Sequence, residues 1–365
     1  MAKKGRYLQE KAKKHWGKRI FVTLLVLLLV LIGGGIFAGV TYYNSMLNLV
    51  TRPETDATEN VLSDEQLEQI LGYVPEKAAP AATEAAKEET KPAVEKKDPV
   101  VNIMLIGQQA RKNETAKLSD TMILCSINKE TKTITLTSFL RDLYVKLPDF
   151  QGHECGKNRI NVAYNLGWYW AGEKGGMEML DQLIRENFGV EVDYNVEVGF
   201  DTFKKVIDVM GGVDIEMDED VAKYVKVGST AGTYHLDGEQ ALVYARARHT
   251  NAGDSDFYRT QRQRNLITHL LNKAKSMTLT QLHELLKEIL PLVITDMTNE
   301  EITSLALELL PLVVELDIKS NQVPAADTYY MKMIDIIGVE SSVIICDEEA
   351  NKELLMPIAE PHLVD

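Results

Sequence analysis

Residues 100–140 read VVNIMLIGQQARKNETAKLSDTMILCSINKETKTITLTSFL. The first seven, VVNIMLI, form an apolar run broken only by Asn102 and ended by Gly107, the pattern of a buried strand. Residues 121–128 form a second, mainly apolar run, and Lys129-Glu130-Thr131-Lys132 reads as a turn. Residues 133–140 begin by alternating polar and apolar side chains, which is strand periodicity.

Downstream the pattern changes period. Residues 161–170, 175–187 and 200–210 read as helices, with short strands at 194–198 and 213–217. Gly211 and Gly212 end a helix before a strand, where a C-cap and tight turn are expected. Strands alternating with helices argue for an α/β fold, a sheet with helices on its faces. Further on, Leu282, Leu285, Leu286, Ile289, Leu290 and Val293 form an apolar stripe at helical spacing. Ile302, Leu305, Ala306, Leu309, Leu310 and Val313 repeat it. Such stripes imply core packing; the sharper alternative is that they wall a lipid pocket. Residues 340–356 read as a final strand and helix of the same domain, which spans 99–360.

Upstream lies a different kind of sequence. Residues 1–19 form a basic tip, with eight Lys and Arg against Glu10 alone, on a chain whose net charge is -14. Residues 20–43 read IFVTLLVLLLVLIGGGIFAGVTYY and carry no charge. A helix needs about 20 apolar residues to cross a bilayer core. A cleaved leader would have a shorter apolar region, about 7–15 residues, before a small-residue cleavage site. The stretch therefore reads as a single transmembrane helix, and the basic tip favours a cytoplasmic N-terminus with the rest on the outer face of the cell membrane. Gly35 and Gly39 form a small-xxx-small pair of the kind through which two such helices dimerise. Residues 44–98 read as an external tether: 78–97 are almost entirely Ala, Glu, Lys, Thr and Pro, too polar to offset the entropy of ordering.

At 365 residues, 45% hydrophobic, the chain has enough apolar mass for a sizeable core. Of its three cysteines, Cys125 and Cys346 sit in apolar runs and suit core packing; a Cys125–Cys155 bridge is left open by the sequence. Cysteine and histidine spacing suggests no zinc site.

Chemistry concentrates in a few loops. Gly107-Gln108-Gln109-Ala110-Arg111 follows the first strand, and Leu118-Ser119-Asp120-Thr121 leads into the second. Arg141-Asp142 follows the third. Later, Arg246-Ala247-Arg248 precedes Asp256-Phe257-Tyr258-Arg259-Thr260-Gln261-Arg262-Gln263-Arg264. Arg246 and Arg248 share a face only if the backbone there is extended or leaving a helix. Arg259, Arg262 and Gln263 project together on a helix. Guanidinium forks suit bidentate contact with phosphate oxygens. The plainer alternative pairs these arginines with Asp218, Glu219, Asp254 and Asp256 at the surface.

Six segments, in order, resemble the LytR–CpsA–Psr family: 119–122, 139–142, 159–164, 211–213, 236–242, and 246–248 leading to 256–263. The resemblance is close from about residue 99 to 271. It implies a three-layer domain, a central mixed sheet flanked by helices, with an apolar pocket for a polyprenyl tail. It implies an enzyme, a phosphotransferase or ligase, that moves a phosphoglycan such as a teichoic acid or capsular polysaccharide. The donor is undecaprenyl pyrophosphate, the acceptor the 6-hydroxyl of N-acetylmuramic acid in peptidoglycan, and Mg²⁺ assists. Matched by position, Asp120, Arg141, Arg246 and Arg248 would be catalytic. Arg111, Arg141, Arg246, Arg248, Arg259 and Gln263 would grip the pyrophosphate. Asp120 would serve the metal, with Gln109 as a weak second ligand. Two positions depart from the family: its first loop usually carries an aspartate where Gln109 stands, and its Arg-Ser-Asp has Leu118 in place of the arginine. Two further activities share the same ligand: a non-catalytic paralogue that captures lipid-linked glycan, and a polyprenyl pyrophosphatase. Nucleic acid is excluded as a partner, because an acidic body without a helix-turn-helix pattern repels it.

Overall fold

The computed structural model describes residues 45–54, 99–108, 119–247, 256–309, 311–312, 314–336 and 339–359. The chain divides into a unit ending at Leu49 and a body beginning at Val50. The expected tip, transmembrane helix and Gly35/Gly39 pair lie outside the described residues, as do most of the tether, Gln109, Arg111, Leu118 and Arg248. Among the described residues no helix is long and apolar enough to cross a membrane.

The three strands read from residues 100–140 form as β1 (Val100–Gln108), β2 (Ser119–Asn128) and β3 (Thr133–Phe139), a continuous antiparallel meander. They are joined by β6 (Tyr194–Gly199), β9 (Ile294–Thr295) and β10 (Asp317–Val323) in one six-stranded sheet of order β10-β3-β2-β1-β6-β9. The β1–β6 and β3–β10 pairs are parallel and the others antiparallel, so the sheet is mixed. Two short pairs lie apart from it: β4 (Tyr144–Lys146) with β5 (Lys157–Arg159), and β7 (Val213–Met217) with β8 (Gly232–Leu236). A hairpin of β11 (Tyr329–Ile336) and β12 (Val339–Cys346) precedes the last helix.

Strand alternation sorts the apolar side chains into two layers. Met104, Ile106, Met122, Leu124 and Phe139 face the long helix α1 (Val162–Phe188) and the C-terminal helix, residues Glu348–Ala359. Ile103, Leu105, Ile123, Cys125 and Leu136 face the opposite way, against Ile267 and Leu271. Those two belong to Asp256–Lys275, which follows α2 (Phe200–Val209), α3 (Glu219–Val225) and α4 (Gly238–Arg246) and is α5. Helices α2 to α5 with β7 and β8 enclose a satellite core around Ile207, Ile215, Leu236 and Leu266. The helix–sheet–helix layering is the architecture the family resemblance implies.

Helix α1 bends. Ala171 and Gly172 leave helical geometry, Gly172 at φ 67°, and separate limbs that match the two helices read at 161–170 and 175–187. A Cβ on Gly167 would lie 2.1 Å from the Gly175 carbonyl oxygen, so the limbs cross on bare backbone. Gly211 and Gly212, at φ 75° and 76°, form the expected C-terminal turn of α2. The tail of that turn is tied by Lys273, whose ammonium donates to the Gly212 carbonyl at 2.7 Å.

Two features depart from the sequence expectations. Part of the expected tether joins the body: Thr51 bridges Ile294, and Arg52 donates to the Met297 carbonyl and the Asn299 side chain. The short edge strand β9 has an open backbone edge, and extended residues satisfy it. The two late stripes form helices α6 (Leu279–Ile289) and α7 (Asn299–Leu309), packed less deeply than a core stripe. Leu285 is buried, whereas Leu286, Ile289, Ile302, Leu305 and Leu309 are only half-buried and Ala306 is exposed. Helix α6 packs against α2, and Leu309 at the end of α7 packs against the cluster of Ile123 and Leu136. The three cysteines are free; burial pushes Cys125 up to about 12, and burial with Asp149 nearby does the same to Cys155. The last helix, α8 (Glu348–Ala359), closes the domain.

Candidate functional site

The C-terminal ends of β1 and β6 and the start of β2 open toward α2, α4 and α5. Between them lies a cavity of about 230 Å³. Its walls are mainly apolar, with Leu105 and Ile123 as floor and Phe203, Val206, Leu242 and Ile267 as roof. An apolar cavity of about 150 Å³ already holds benzene without water, so this one suits hydrocarbon. Three polar side chains reach its wall, Thr121, Arg246 and Gln263.

Arg246 is placed by helix termination. Asp237 and Gln240 form a capping box that starts α4. The helix stops after Arg246 because Ala247 turns to φ -59°, ψ 128°. That is the break that a shared face for Arg246 and Arg248 requires. The Arg246 guanidinium stands 4.9 Å from the centroid of the Phe200 ring, which steers it without neutralising it. Arg262, buried in α5, donates to the Ala247 carbonyl at 2.8 Å and so fixes the turn between the two arginines. Helical spacing groups Arg262 with Arg259 and Gln263 as a phosphate fork, whereas in the fold its Nη1 serves the turn at Ala247.

A second group of charges sits beside the cavity. Asp120 precedes Thr121 of the cavity wall, and its Oδ1 accepts from Arg141 Nη1 at 3.1 Å. Arg141 Nε also faces Asp142 and Asp256, each at 3.5 Å. Burial by itself would lower the Arg141 guanidinium, but Asp142, Asp256 and Asp120 outweigh it and hold the pKa above its ordinary value. Arg259 is 3% exposed; its Nη2 pairs with Asp256 at 2.5 Å and reaches the Asp120 carbonyl at 3.4 Å. Arg159 Nη1 lies 3.6 Å from Asp142, a contact the sequence reading did not foresee. Phe257, next to Asp256, stacks on Tyr329 at 4.8 Å and ties the cluster to the hairpin.

The structure therefore joins Asp120, Arg141 and Arg259 in one charged cluster and places Arg246 and Gln263 on the cavity wall beside Thr121, the residue after Asp120. Of the surface pairings weighed as an alternative, Asp256 pairs with Arg259 and faces Arg141. Asp218 instead caps α3 through the Val221 amide at 2.8 Å, and Glu219 pairs with Lys223. Asp254 lies outside the described residues.

No set of three His, Cys, Asp or Glu side chains among the described residues is placed to hold a metal. Asp120 is the carboxylate beside the cavity wall; Asp142 and Asp256 face Arg159 and Arg259. A single carboxylate suits Mg²⁺ only when water and ligand phosphate oxygens complete its shell.

These features define a class: an α/β domain with an apolar pocket beneath an arginine-rimmed mouth. The chain belongs to the LytR_cpsA_psr family, whose model matches residues 70–351. It is 30% identical over 301 residues to the polyisoprenyl-teichoic acid–peptidoglycan teichoic acid transferase TagU of Oceanobacillus iheyensis, covering 81% of this chain and 82% of that protein. It is 31% identical over 188 residues to the transferase TagT of Bacillus subtilis, covering 48% of this chain and 53% of that one. A structure of TagT bound to LI-WTA aligns at 26% identity with a TM-score of 0.56, over 75% of this chain and 98% of that chain.

Proposed function

We propose that this protein transfers a wall glycopolymer from a polyprenyl-pyrophosphate carrier to peptidoglycan. The observation that carries the reading is the junction at Arg246 and Gln263, where an apolar cavity meets polar side chains at the end of an otherwise hydrocarbon wall. A polyprenyl tail fits the apolar part and a pyrophosphate fits the mouth. TagU and TagT are named as transferases of teichoic acid to peptidoglycan, which supports the same reaction class here.

In the reaction, an acceptor hydroxyl oxygen attacks the glycan-linked phosphorus. The phosphorus–oxygen bond to polyprenyl phosphate breaks, and the hydroxyl proton leaves with that phosphate. Negative charge builds on the phosphoryl oxygens, and fixed cations beside them lower the barrier. Arg246 is the exposed cation at the cavity wall, steered by Phe200; Arg248 is assigned the same task. Arg141 and Arg259 hold rigid positions among aspartates, which orients their donors in advance of the ligand. Mg²⁺, when bound with the pyrophosphate, would neutralise phosphate charge beside Asp120 and Gln109.

The test is titration of the purified chain with a polyprenyl pyrophosphate, followed by native mass spectrometry. The wild type is expected to bind one lipid, and Arg246→Ala with Arg248→Ala to weaken it. Unchanged binding by the double variant would leave the arginines as a solvated surface. Supplying peptidoglycan then separates the activities: transfer requires the acceptor, hydrolysis proceeds without it, and a capture protein turns over in neither case.

A further inference from the structure

Helix α5 carries one more arginine that the reaction does not use. Arg264 is 5% exposed. Its Nε donates to Ser320 Oγ at 2.6 Å and its Nη2 to Gln322 Oε1 at 3.3 Å, both neutral acceptors. Its Nη1 is buried with no hydrogen-bond partner. No ion pair to Arg264 exists among the described residues, and burial alone pushes its guanidinium down to about 10. A buried, unpaired guanidinium costs stability; an apolar side chain of similar length is neutral or stabilising at such a place.

Its position relates that cost to the pocket. Ser138 of β3 pairs across the sheet with Ile123 of β2 on one side and Gln322 of β10 on the other. Ile123 in turn pairs with Leu105. Register partners share a sheet face, so Leu105, Ile123, Ser138 and Gln322 form one row. The row begins as the cavity floor and ends at the side chain that holds Arg264. The Ser138 hydroxyl in the middle is also buried without a partner. Arg264 follows Gln263 directly and precedes Ile267 by three residues; both of those line the cavity.

The charge balance gives the row a use. Arg141, Arg159 and Arg259 each face at least one of Asp120, Asp142 and Asp256. The positive charge of the cluster is therefore largely spent on its own carboxylates. Arg264 adds a cation that no carboxylate among the described residues pairs with, inside protein where screening by water and salt is weak.

We propose that Arg264 is a positioning residue: a buried, uncompensated cation whose field, with that of Arg246, draws the pyrophosphate to the mouth, at a cost in fold stability. The proposal rests on the pyrophosphate reading above and assigns it a specific electrostatic source away from the contact shell.

The experiment compares the full-length wild type with Arg264→Met, Arg264→Gln and Arg264→Lys in detergent. Inorganic pyrophosphate is titrated calorimetrically at neutral pH and Tm is measured alongside. Arg264→Met should weaken pyrophosphate about three- to tenfold, the order expected from one charge acting across two to three strand spacings, about 10–14 Å, at an effective dielectric of about 20. Its Tm should hold or rise. Arg264→Gln keeps a hydrogen-bond donor for Ser320 and drops the charge, so it should weaken binding to the same degree. Arg264→Lys should bind within about twofold of the wild type. A merely structural arginine would show the reverse: Tm falling in the neutral variants with affinity unmoved. That result, or a lysine variant as weak as methionine, overturns the proposal while leaving the ligand reading intact. A wild type that takes up no pyrophosphate overturns both.

Discussion

Arg246 owes its place to two neighbours far apart in sequence, Phe200 below its guanidinium and Arg262 behind its turn. Truncating a charge-assisted contact costs about 1.5–3 kcal/mol, so Arg246→Ala should lower polyprenyl-pyrophosphate affinity on the order of tenfold to a hundredfold by titration. Arg262→Met should lower it as well, about tenfold, by freeing the Ala247 carbonyl and with it the turn. If Arg262→Met binds normally, the turn is held by other contacts. Gln109→Asp addresses the metal. With Asp120 as the one strong ligand, Mg²⁺ should bind weakly unless pyrophosphate is present, and the added carboxylate should raise its lipid-free affinity in calorimetry. Equal Mg²⁺ binding by wild type, Gln109→Asp and Asp120→Asn would remove the metal from this site. At this scale the sequence showed which residues belong together and hid how. Arg259 and Gln263 were legible because helical spacing forces them to one side. The Arg141–Asp120 and Arg159–Asp142 pairs were not, since sheet register and loop closure decide them.

Element boundaries followed the hydrophobic period closely where strands are buried on both faces, as in β1 to β3. They failed where an element sits at an edge. Strand β10 reads DIKSNQV, with little apolar signal, because its apolar task is small: it pairs with β3 on one side and supplies polar partners to Arg264. Helices α6 and α7 misled in the opposite sense, since an apolar stripe marks a helix that packs against something and not how deeply. The bend in α1 was legible as a gap between two helical stretches, yet its cause was not. Gly167 and Gly175 touch backbone to backbone, and no single-residue propensity reports that. Gly167→Ala should therefore destabilise the domain by about 1–3 kcal/mol, as overpacking does, measured by denaturant unfolding. An unchanged midpoint would mean that the limbs can part without loss.

We propose that the uncharged stretch at residues 20–43 anchors the folded body on the outer face of a membrane, with the basic tip inside. Protease added to intact protoplasts should then digest the body, and a protected body would reverse the orientation. Such a placement would set the pocket where a lipid carrier and the wall acceptor meet. The central claim is that the cavity takes a polyprenyl chain while the mouth takes its pyrophosphate, and one titration separates the two halves. Val206→Trp, which would fill the cavity from the α2 side, and Arg246→Ala are compared with the wild type for binding of polyprenyl pyrophosphate and of inorganic pyrophosphate. Val206→Trp should lose the lipid and keep inorganic pyrophosphate, whereas Arg246→Ala should weaken both. If the tryptophan variant binds lipid as the wild type does, the chain lies elsewhere and the account of the pocket is contradicted.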